Sequence, residues 1–397
     1  MTRTIISNYV SSSTLTTLNS LIKFLFVGFA SVKLGLEEYG IFLTVQLFTI
    51  QGLLPIIVLG LPEVLQRKVA SEKYICETLT MAFWFVFFLS VFVVAFLTTV
   101  LVFQLSNFII FENNILFIIY LFSIPFQLLV LFLQSILSGR SYFLEIRLVE
   151  VVISIVFVGL SVISIFYSYT FLTLSFILVG LFICEAVILF LILIKISDER
   201  LRIFSAPNMS IDIAQFKHFS LWNLNSLARL QGDKVLITLF LSPTMLSVYH
   251  ICSRIPGSIK NLVSLINPIL FTYSANESFN FSSYKNTYIS SLLILSFFLY
   301  PFIIALCFVS EPLLSFWIGN SVALYHILMV LLLINCALSP LLTIGWALKA
   351  GEGDNLNQMT AISIATIILR LLISLLLVKI IGVFAFGIAS IVSIMAA

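Results

Sequence analysis

The feature that most limits the fold of this chain is a series of long apolar stretches with almost no charged residues. One of them, IIYLFSIPFQLLVLFLQSIL at 118–137, is predominantly apolar and contains no charged residue. A hydrocarbon layer of about 30 Å requires roughly 20 helical residues per crossing, so such stretches are long enough to span a bilayer. Membrane barrels instead alternate apolar and polar residues over about ten positions, which this segment does not. The sequence therefore predicts a helical membrane protein.

Composition excludes a soluble domain. Charged side chains make up only 9% of the chain and hydrophobic ones 61%, with a mean hydropathy of +1.19, whereas about a quarter of a soluble domain is charged. The formal net charge of +3 indicates no nucleic-acid partner. The five cysteines are scattered through apolar runs without a CxxC pair, which indicates small hydrophobic residues rather than disulfides or a metal site.

Polar, Gly and Pro clusters divide the chain into twelve apolar segments, so we expect an all-α polytopic membrane protein with about twelve transmembrane helices. The last segment is short for a span, which predicts a truncated twelfth helix. The segments are 12–34, 40–61, 76–104, 115–138, 146–168, 171–195, 217–241, 245–273, 287–310, 322–344, 358–378 and 382–397.

The basic residues between the spans fall mostly on one side of the membrane. Cytoplasmic loops carry an excess of Lys and Arg, so this distribution predicts that both termini lie in the cytoplasm. Only Lys33 and Lys379 fall on the other side. The residues on the basic side are Arg3, Arg67, Lys68, Lys73, Arg140, Arg147, Lys195, Arg200, Arg202, Lys217, Lys285 and Lys349.

An internal repeat predicts two similarly folded halves. The segment LGLEEYGIF (34–42) lies between the first two spans, and LSPTMLSVY (241–249) lies between the seventh and eighth at an offset of 207 residues. We therefore expect two six-helix bundles, 1–196 and 217–397, joined by a cytoplasmic linker at 197–216. Parallel repeats of this kind are typical of transporters that rock two bundles about a central cavity.

Sequence motifs of enzymes are missing. The chain has no Walker A run, and GEGD at 351–354 lacks the preceding strand and the third glycine of a dinucleotide site. His218, His250 and His326 form no HExxH motif. We therefore expect no catalytic residues, no cofactor and no metal.

Six basic residues lie inside the predicted spans, where each costs about 2.5 to 3.5 kcal/mol near a helix centre. They must face protein or water, and a cavity lined by them would favour an anionic ligand. Arg229 and Asp233 lie one turn apart in span 7, so they can pair, or Lys234 shares Asp233 and leaves Arg229 partly free for the substrate. The alternative is that the charges snorkel or only join helices. The six bases are Lys23, Arg229, Lys234, Arg254, Lys260 and Arg370.

Two glutamates in apolar surroundings, Glu150 and Glu185, are candidates for ion coupling. Glu185 would carry a proton or would pair with one of the intramembrane bases. A polar stripe in span 4 would meet sugar hydroxyls or form hydrogen bonds between helices. The stripe consists of Ser123, Gln127, Gln134 and Ser138.

Several segments resemble the bacterial polysaccharide flippases of the Wzx type, in the multidrug/oligosaccharidyl-lipid/polysaccharide exporter superfamily. They are LGLEEYGIF (34–42), PEVLQRKVA (62–70), the SGR turn (138–140) and GDKVLITLFLSPTMLSVYHICSRI (232–255). The resemblance implies a flippase that moves undecaprenyl-diphosphate-linked oligosaccharide repeat units from the cytoplasmic to the periplasmic leaflet by alternating access through a cationic cavity.

That resemblance also implies roles for individual residues and partners. Lys23, Arg229, Lys234, Arg254 and Arg370 would bind the lipid diphosphate in the cationic lumen, and Asp233 and Lys260 belong to the same predicted site. The chain departs from the family at Lys234, where Arg is common. The implied partners are the lipid-linked oligosaccharide, the bilayer, and a polysaccharide polymerase with its chain-length machinery.

Two other functions compete with the flippase. A cation-coupled multidrug exporter of the same superfamily should have a more acidic cavity than this sequence predicts. A membrane polysaccharide polymerase or acyltransferase should show a large outer loop or a His/Asp catalytic pair, and neither is seen in the sequence.

The predicted orientation can be tested by cysteine labelling. A cysteine introduced at Glu37 should react with a membrane-impermeant maleimide from the periplasmic side, and one at Arg140 only after the membrane is opened, because basic loops stay in the cytoplasm. The reverse pattern of labelling would show that the topology is inverted.

Overall fold

A computed structural model gives the fold of the greater part of the chain. Every regular element that it describes is helical, and many of the helices are long and apolar, which confirms the prediction of an all-α polytopic membrane protein. The predicted span 76–104 and the predicted linker 197–216 lie largely outside the described residues. Those residues are 2–58, 61–62, 65–66, 69, 84, 88–89, 91–92, 95, 114–140, 142–167, 171–196, 213–264, 281–352 and 356–396.

Five long helices precede residue 197 in the described part of the chain. They are α1 (Thr2–Leu34), α2 (Leu36–Val58), α3 (Asn114–Gly139), α4 (Phe143–Phe166) and α5 (Phe171–Ile196). Their positions match the predicted spans closely, except that α1 begins at Thr2 rather than at residue 12.

Six further helices follow residue 212 in the described ranges. They are α6 (Ile213–Phe240), α7 (Pro243–Ser264), α8 (Phe281–Trp317), α9 (His326–Glu352), α10 (Leu356–Ile381) and α11 (Phe384–Met395). α8 is longer at both ends than the predicted span 287–310, and a single turn, Asn320–Ala323, precedes α9. α11 has only 12 residues.

Eight of the described helices are long and apolar enough to cross a membrane by length and composition. α6 and α7 are not among them because they carry the charged and polar residues of the predicted site. Such helices can lie at membrane depth only if their polar faces contact protein or water.

The chain divides into two compact units. The N-terminal unit contains Met1–Phe26 and Ile41–Leu227, and the C-terminal unit contains Val27–Gly40 and Ala228–Ala397. The segment around the α1–α2 turn therefore belongs to the C-terminal unit, although it comes from the beginning of the chain.

In the N-terminal unit, α3 is the central helix. It packs against α5 and α2 and is more deeply buried than α4 or α5. Its residues Leu128, Phe132 and Ile136 are completely inaccessible to solvent. They contribute to two apolar clusters, one with Leu54 of α2 and the other with Leu189 of α5. Burial of these side chains is the main favourable contribution to the packing of the unit.

In the C-terminal unit, α9 has the corresponding position. It packs against α7, α8 and α11 and is more deeply buried than α8 or α10. Gly387 of α11 allows a close approach, because a Cβ atom there would lie 2.8 Å from Cβ of Leu331. α3 and α9, which match the predicted spans 115–138 and 322–344, thus have similar central positions in their units, and the internal repeat stays a prediction.

α2 contains a π-helical stretch, Leu47–Leu53. The backbone N–H of Leu54 donates to the carbonyl oxygen of Thr49, five residues earlier. Gly52 fits this wider turn because an added Cβ would lie 2.7 Å from the carbonyl oxygen of Leu47. Pro55 has no N–H to continue the ordinary helical pattern, so the sequence itself favours an irregularity at this point.

The turn between α1 and α2 is fixed to the C-terminal unit by close backbone contacts. Gly35 has a φ of +84°, a conformation that favours glycine. The hydroxyl of Ser247 donates to the carbonyl oxygen of Leu36 at 2.6 Å. A Cβ atom at Gly40 would lie only 2.0 Å from the carbonyl oxygen of Pro243. This segment can therefore pack on α7 only with a glycine at position 40.

Replacing Gly40 by Ala should destabilise the protein. The new methyl group would force the α2 backbone away from α7, and overpacking of this kind costs about 1–3 kcal/mol. Thermal unfolding of the purified protein in detergent would measure the effect.

Gly180→Ala is the matched control, because an added Cβ there meets nothing within 4 Å. Alanine in an exposed helix interior is about 0.5–1 kcal/mol better than glycine, so this variant should unfold at the same temperature or higher. Equal unfolding temperatures for both variants would contradict the contact at Gly40.

Candidate functional site

Asp233 lies at the centre of the candidate site in the C-terminal unit. Its side chain is 3% exposed, and its Oδ2 atom accepts hydrogen bonds from the hydroxyl of Tyr249, at 2.8 Å, and from Nη2 of Arg370. The three residues come from α6, α7 and α10. A buried carboxylate requires such partners because an isolated charge is costly in a medium of low dielectric constant.

The local packing brings these helices together. A Cβ atom at Gly232, next to Asp233, would lie 3.0 Å from Cδ2 of Leu371, next to Arg370. The ring of Tyr249 packs edge-on against Phe386 with centroids 6.1 Å apart. The glycine thus allows α6 and α10 to approach closely enough for the ion pair.

The partner of Asp233 differs from the one that the sequence predicted. Arg229 lies one turn away on the same helix, but the structure pairs Asp233 with Arg370 of another helix. The carboxylate lies where α6, α7 and α10 meet, and a guanidinium that is itself shielded from solvent forms a stronger bond there than one on the same helix face. Arg229 is therefore not the neutralising partner of Asp233.

Two more cations surround this ion pair. Arg229 interacts electrostatically with Arg370, and Lys260 interacts with Arg229, Arg370 and Asp233. Among the described side chains, the Nε atom of Arg370 is buried without a hydrogen-bond partner. One carboxylate thus faces three basic side chains, so positive charge is in excess at this point.

A second set of side chains lies on α6, α7 and the first turn of α2. Lys234 donates a hydrogen bond from Nζ to Oε1 of Gln231 at 3.0 Å, and it interacts electrostatically with Arg254. Arg254 in turn interacts with Tyr39, whose hydroxyl lies 3.3 Å from Nδ1 of His250. Tyr39 and the α7 residues belong to the same unit.

The predicted bases therefore separate into two groups. Arg229, Lys234, Arg254, Lys260 and Arg370 all belong to the C-terminal unit, whereas Lys23 belongs to the N-terminal unit. Within the C-terminal unit, Arg229 and Lys260 interact with Arg370, and Lys234 interacts with Arg254. Lys23 has no acid one turn away on α1, but it interacts electrostatically with Glu185 of α5.

The two candidate ion-coupling glutamates lie close together in the N-terminal unit. Nε2 of Gln134 donates to Oε1 of Glu150 at 3.3 Å and to Oε1 of Glu185 at 3.2 Å. Glu150 also pairs with Arg147 at 2.6 Å, and Glu185 interacts electrostatically with Lys23. The interaction with Lys23 is compatible with the predicted pairing of Glu185 with an intramembrane base, and the other alternative, that Glu185 carries a proton, stays a prediction.

The polar stripe of span 4 forms hydrogen bonds within and between helices. Nε2 of Gln127 donates to Oγ of Ser123 at 2.6 Å, and both residues are buried. Gln134 bonds to glutamates of α4 and α5. For these three residues the structure therefore favours helix association over contact with sugar hydroxyls.

Sequence reasoning missed two tyrosines of the site. Tyr249 bonds to Asp233, and Tyr39 contacts His250 from a position 211 residues earlier in the chain. The only available signal was that both tyrosines lie in the two segments that mark the internal repeat, at 34–42 and 241–249.

Comparisons with known proteins agree with this architecture. A sequence model for a family described as polysaccharide biosynthesis protein matches residues 34–325. Among curated protein sequences, none matches the chain.

Solved structures with the same fold include the lipid II flippase MurJ in an inward closed conformation. The TM-score is 0.75 at 14% identity, covering 97% of this chain and 86% of that chain. An inward-facing multidrug resistance transporter of the MATE family, in the MOP superfamily, has a TM-score of 0.71 at 11% identity, with 98% and 96% covered. An outward-facing one has a TM-score of 0.69 at 12% identity, with 98% and 92% covered. At such identities the likeness shows the fold alone.

Replacing Arg370 by Gln should strongly destabilise the protein. It would leave the buried carboxylate of Asp233 without a charged partner, and breaking a buried pair in this way costs about 3–5 kcal/mol. The double variant Asp233→Asn, Arg370→Gln removes both charges and should regain most of the loss. Thermal unfolding in detergent would compare the variants.

Arg147→Gln is the control for this experiment, because the Arg147–Glu150 pair is accessible, with side chains 40% and 20% exposed. Exposed pairs contribute about 0–1 kcal/mol, so this variant should unfold almost like the wild type. If Arg370→Gln were no less stable than Arg147→Gln, the Asp233–Arg370 pair would not be the organising contact of the unit.

Proposed function

Since this chain belongs to the family of polysaccharide biosynthesis proteins and has the fold of transporters of the MOP superfamily, we propose that it is a flippase for undecaprenyl-diphosphate-linked oligosaccharide repeat units. It would move them from the cytoplasmic to the periplasmic leaflet of a bacterial inner membrane by alternating access. Both termini would lie in the cytoplasm.

The observation that carries the proposal is the excess of shielded positive charge in the C-terminal unit. Arg229, Arg370 and Lys260 are grouped about a single carboxylate, and Nε of Arg370 has no hydrogen-bond partner among the described side chains. A buried donor that bonds to nothing costs about 1–3 kcal/mol, and unbalanced buried charges cost more. An anionic ligand with several acceptor oxygens would remove both penalties.

A lipid-linked diphosphate has the required chemistry. Its oxygens accept charge-assisted hydrogen bonds from Arg and Lys, its polyprenyl chain stays in the bilayer, and its glycan needs a polar cavity. Movement of two negative charges outward through an inside-negative membrane potential is favourable by about 4–5 kcal/mol per 100 mV. Export of such a lipid therefore requires no nucleotide, and we assign the chain no catalytic step and no cofactor.

The competing transporter function fits the charges less well. A cation-coupled multidrug exporter shares this fold, but its substrates would favour free carboxylates at the binding site. In the described part of the C-terminal unit, the carboxylate at the centre of the cluster is already bonded to Arg370 and Tyr249. An anionic substrate is therefore the better match.

The N-terminal unit would supply ion coupling. Glu150 and Glu185 share the amide nitrogen of Gln134, so two carboxylates lie close to each other, and Glu185 is buried. A proton or a small cation bound by one of them would reduce their repulsion.

We also keep Lys23 among the substrate-binding bases as part of the proposal, together with the predicted contacts to a polymerase and its chain-length machinery.

Replacing Arg254 by Gln should abolish transport while leaving the protein level unchanged. The charge of Arg254 is available for the substrate because its described interactions involve tyrosine, histidine and lysine rather than a carboxylate. Surface polysaccharide in cells that lack the wild-type gene should fall at least tenfold, and the lipid-linked intermediate should accumulate on the cytoplasmic leaflet.

Lys379→Gln is the matched control, because this residue is exposed at the end of α10 and should leave transport unchanged. Normal surface polysaccharide with Arg254→Gln would remove that residue from the binding site. If no lipid-linked intermediate accumulated when the protein is deleted, the flippase function itself would be contradicted.

A further inference from the structure

Tyr39 and His250 form a neutral pair beside the cations of the C-terminal unit, and the proposed function gives this pair no role. The hydroxyl of Tyr39 lies 3.3 Å from Nδ1 of His250, and the two ring centroids are 6.0 Å apart. Tyr39 is 2% exposed, so it is fully enclosed by protein. The pair is therefore held in a defined geometry rather than mobile at a surface.

The position of Tyr39 is fixed by its backbone. Three residues before it, the carbonyl oxygen of Leu36 accepts a hydrogen bond from Ser247 of α7, and one residue after it, Gly40 lies against the carbonyl group of Pro243. Both contacts are to the first turns of α7, on which His250 also lies. Tyr39 thus comes from α2 but is packed as a part of the α7 surface.

The histidine lies next to two cations. His250 and Arg254 are one turn apart on α7 and so share a helix face. Both interact electrostatically with each other and with Lys234 of α6. His250, Arg254 and Lys234 are each partly accessible, whereas Tyr39 behind them is not. A ligand can therefore reach the histidine and the two cations but not the tyrosine ring.

The direction of the Tyr39–His250 hydrogen bond depends on the tautomer of the histidine, and the charge of Arg254 favours one direction. A guanidinium group has only donors, so it attracts the lone pairs of the Tyr39 oxygen, with which it interacts electrostatically. The O–H of Tyr39 then points away from Arg254 towards Nδ1 of His250, which acts as the acceptor. In a neutral imidazole the other nitrogen must carry the proton. Nε2–H of His250 is consequently a donor.

We propose that Tyr39 is a positioning residue that holds His250 in the tautomer with a proton on Nε2, and that this N–H binds a phosphate oxygen of the substrate beside Arg254 and Lys234. The inference rests on the proposed function and deepens it by naming the group that would recognise the diphosphate. Arg and Lys supply charge, while the histidine supplies a donor of fixed direction without adding a further charge to a crowded cationic site.

Binding of farnesyl diphosphate to the purified protein in detergent tests the proposal. This soluble isoprenyl diphosphate has the same headgroup chemistry as the proposed substrate, and titration calorimetry gives its dissociation constant. Tyr39→Phe removes only the hydroxyl and should weaken binding about five- to tenfold, because the histidine would no longer be held in one tautomer. Tyr120→Phe is the control, since it removes the hydroxyl of a fully buried tyrosine in the N-terminal unit and should leave affinity unchanged.

Substitutions of the histidine separate a tautomer effect from a packing effect. The amide nitrogen of Gln reaches the place of Nε2, and that of Asn reaches the place of Nδ1. His250→Gln should therefore bind almost like the wild type, and His250→Asn should lose affinity as Tyr39→Phe does. In the His250→Gln background, Tyr39→Phe should have no further effect, because an amide donor has no tautomer to select.

The outcomes are distinct. The proposal would be overturned if Tyr39→Phe bound farnesyl diphosphate as tightly as the wild type. It would also be overturned if Tyr39→Phe caused the same loss of affinity in the His250→Gln background as in the wild type. A folded wild-type protein that binds neither farnesyl diphosphate nor the lipid-linked intermediate would instead contradict the proposed function. Thermal unfolding of each variant would confirm that the comparison is between folded proteins.

Discussion

The arrangement of the C-terminal unit depends on the need to compensate one buried carboxylate. Asp233 lies on a helix that is too polar to be held in place by lipid, and its charge is tolerated because Tyr249 and Arg370 bond to it from two other helices. The requirement joins α6, α7 and α10 at one point. Arg229 and Lys260 interact electrostatically with the same ion pair.

Long-range contacts set the limit of what the sequence reveals. Length and apolarity are local properties, so the described helices and most of their bounds could be predicted, and the cost of charge in lipid indicated the bases of the candidate site. The partner of Asp233 could not be predicted, because Arg229 and Arg370 have the same chemistry and only the packing of Gly232 against Leu371 brings the second one close. Tyr39 was missed because its contact with His250 joins residues 211 positions apart, and no local pattern indicates such a contact.

The π-helical stretch of α2 shows how a local signal can be present and still ambiguous. Gly52 and Pro55 both disfavour a regular helix, but either residue alone is compatible with a kink, a loop or the end of a span. The structure resolves the choice because the glycine allows the carbonyl group of Leu47 to approach, and the helix continues through the irregularity. The site residue Tyr39 and this irregular turn therefore lie on one continuous helix.

The two units differ in charge balance, and this difference bears on how a flippase of this kind would work. In the N-terminal unit, Lys23 and Arg147 are matched by Glu185 and Glu150, so the network there is close to neutral. In the described part of the C-terminal unit, Arg370, Lys260 and Lys234 interact with the carboxylate of Asp233, and Arg229 and Arg254 add two further bases, so positive charge is in excess. A network that is close to neutral has no excess positive charge for binding a diphosphate. Two carboxylates that share one amide donor repel each other, and the binding of one proton or small cation would reduce this repulsion. Under the proposed function, binding of the anionic substrate thus belongs to the C-terminal unit and ion coupling to the N-terminal unit, because each unit has the charge distribution that its own ligand requires.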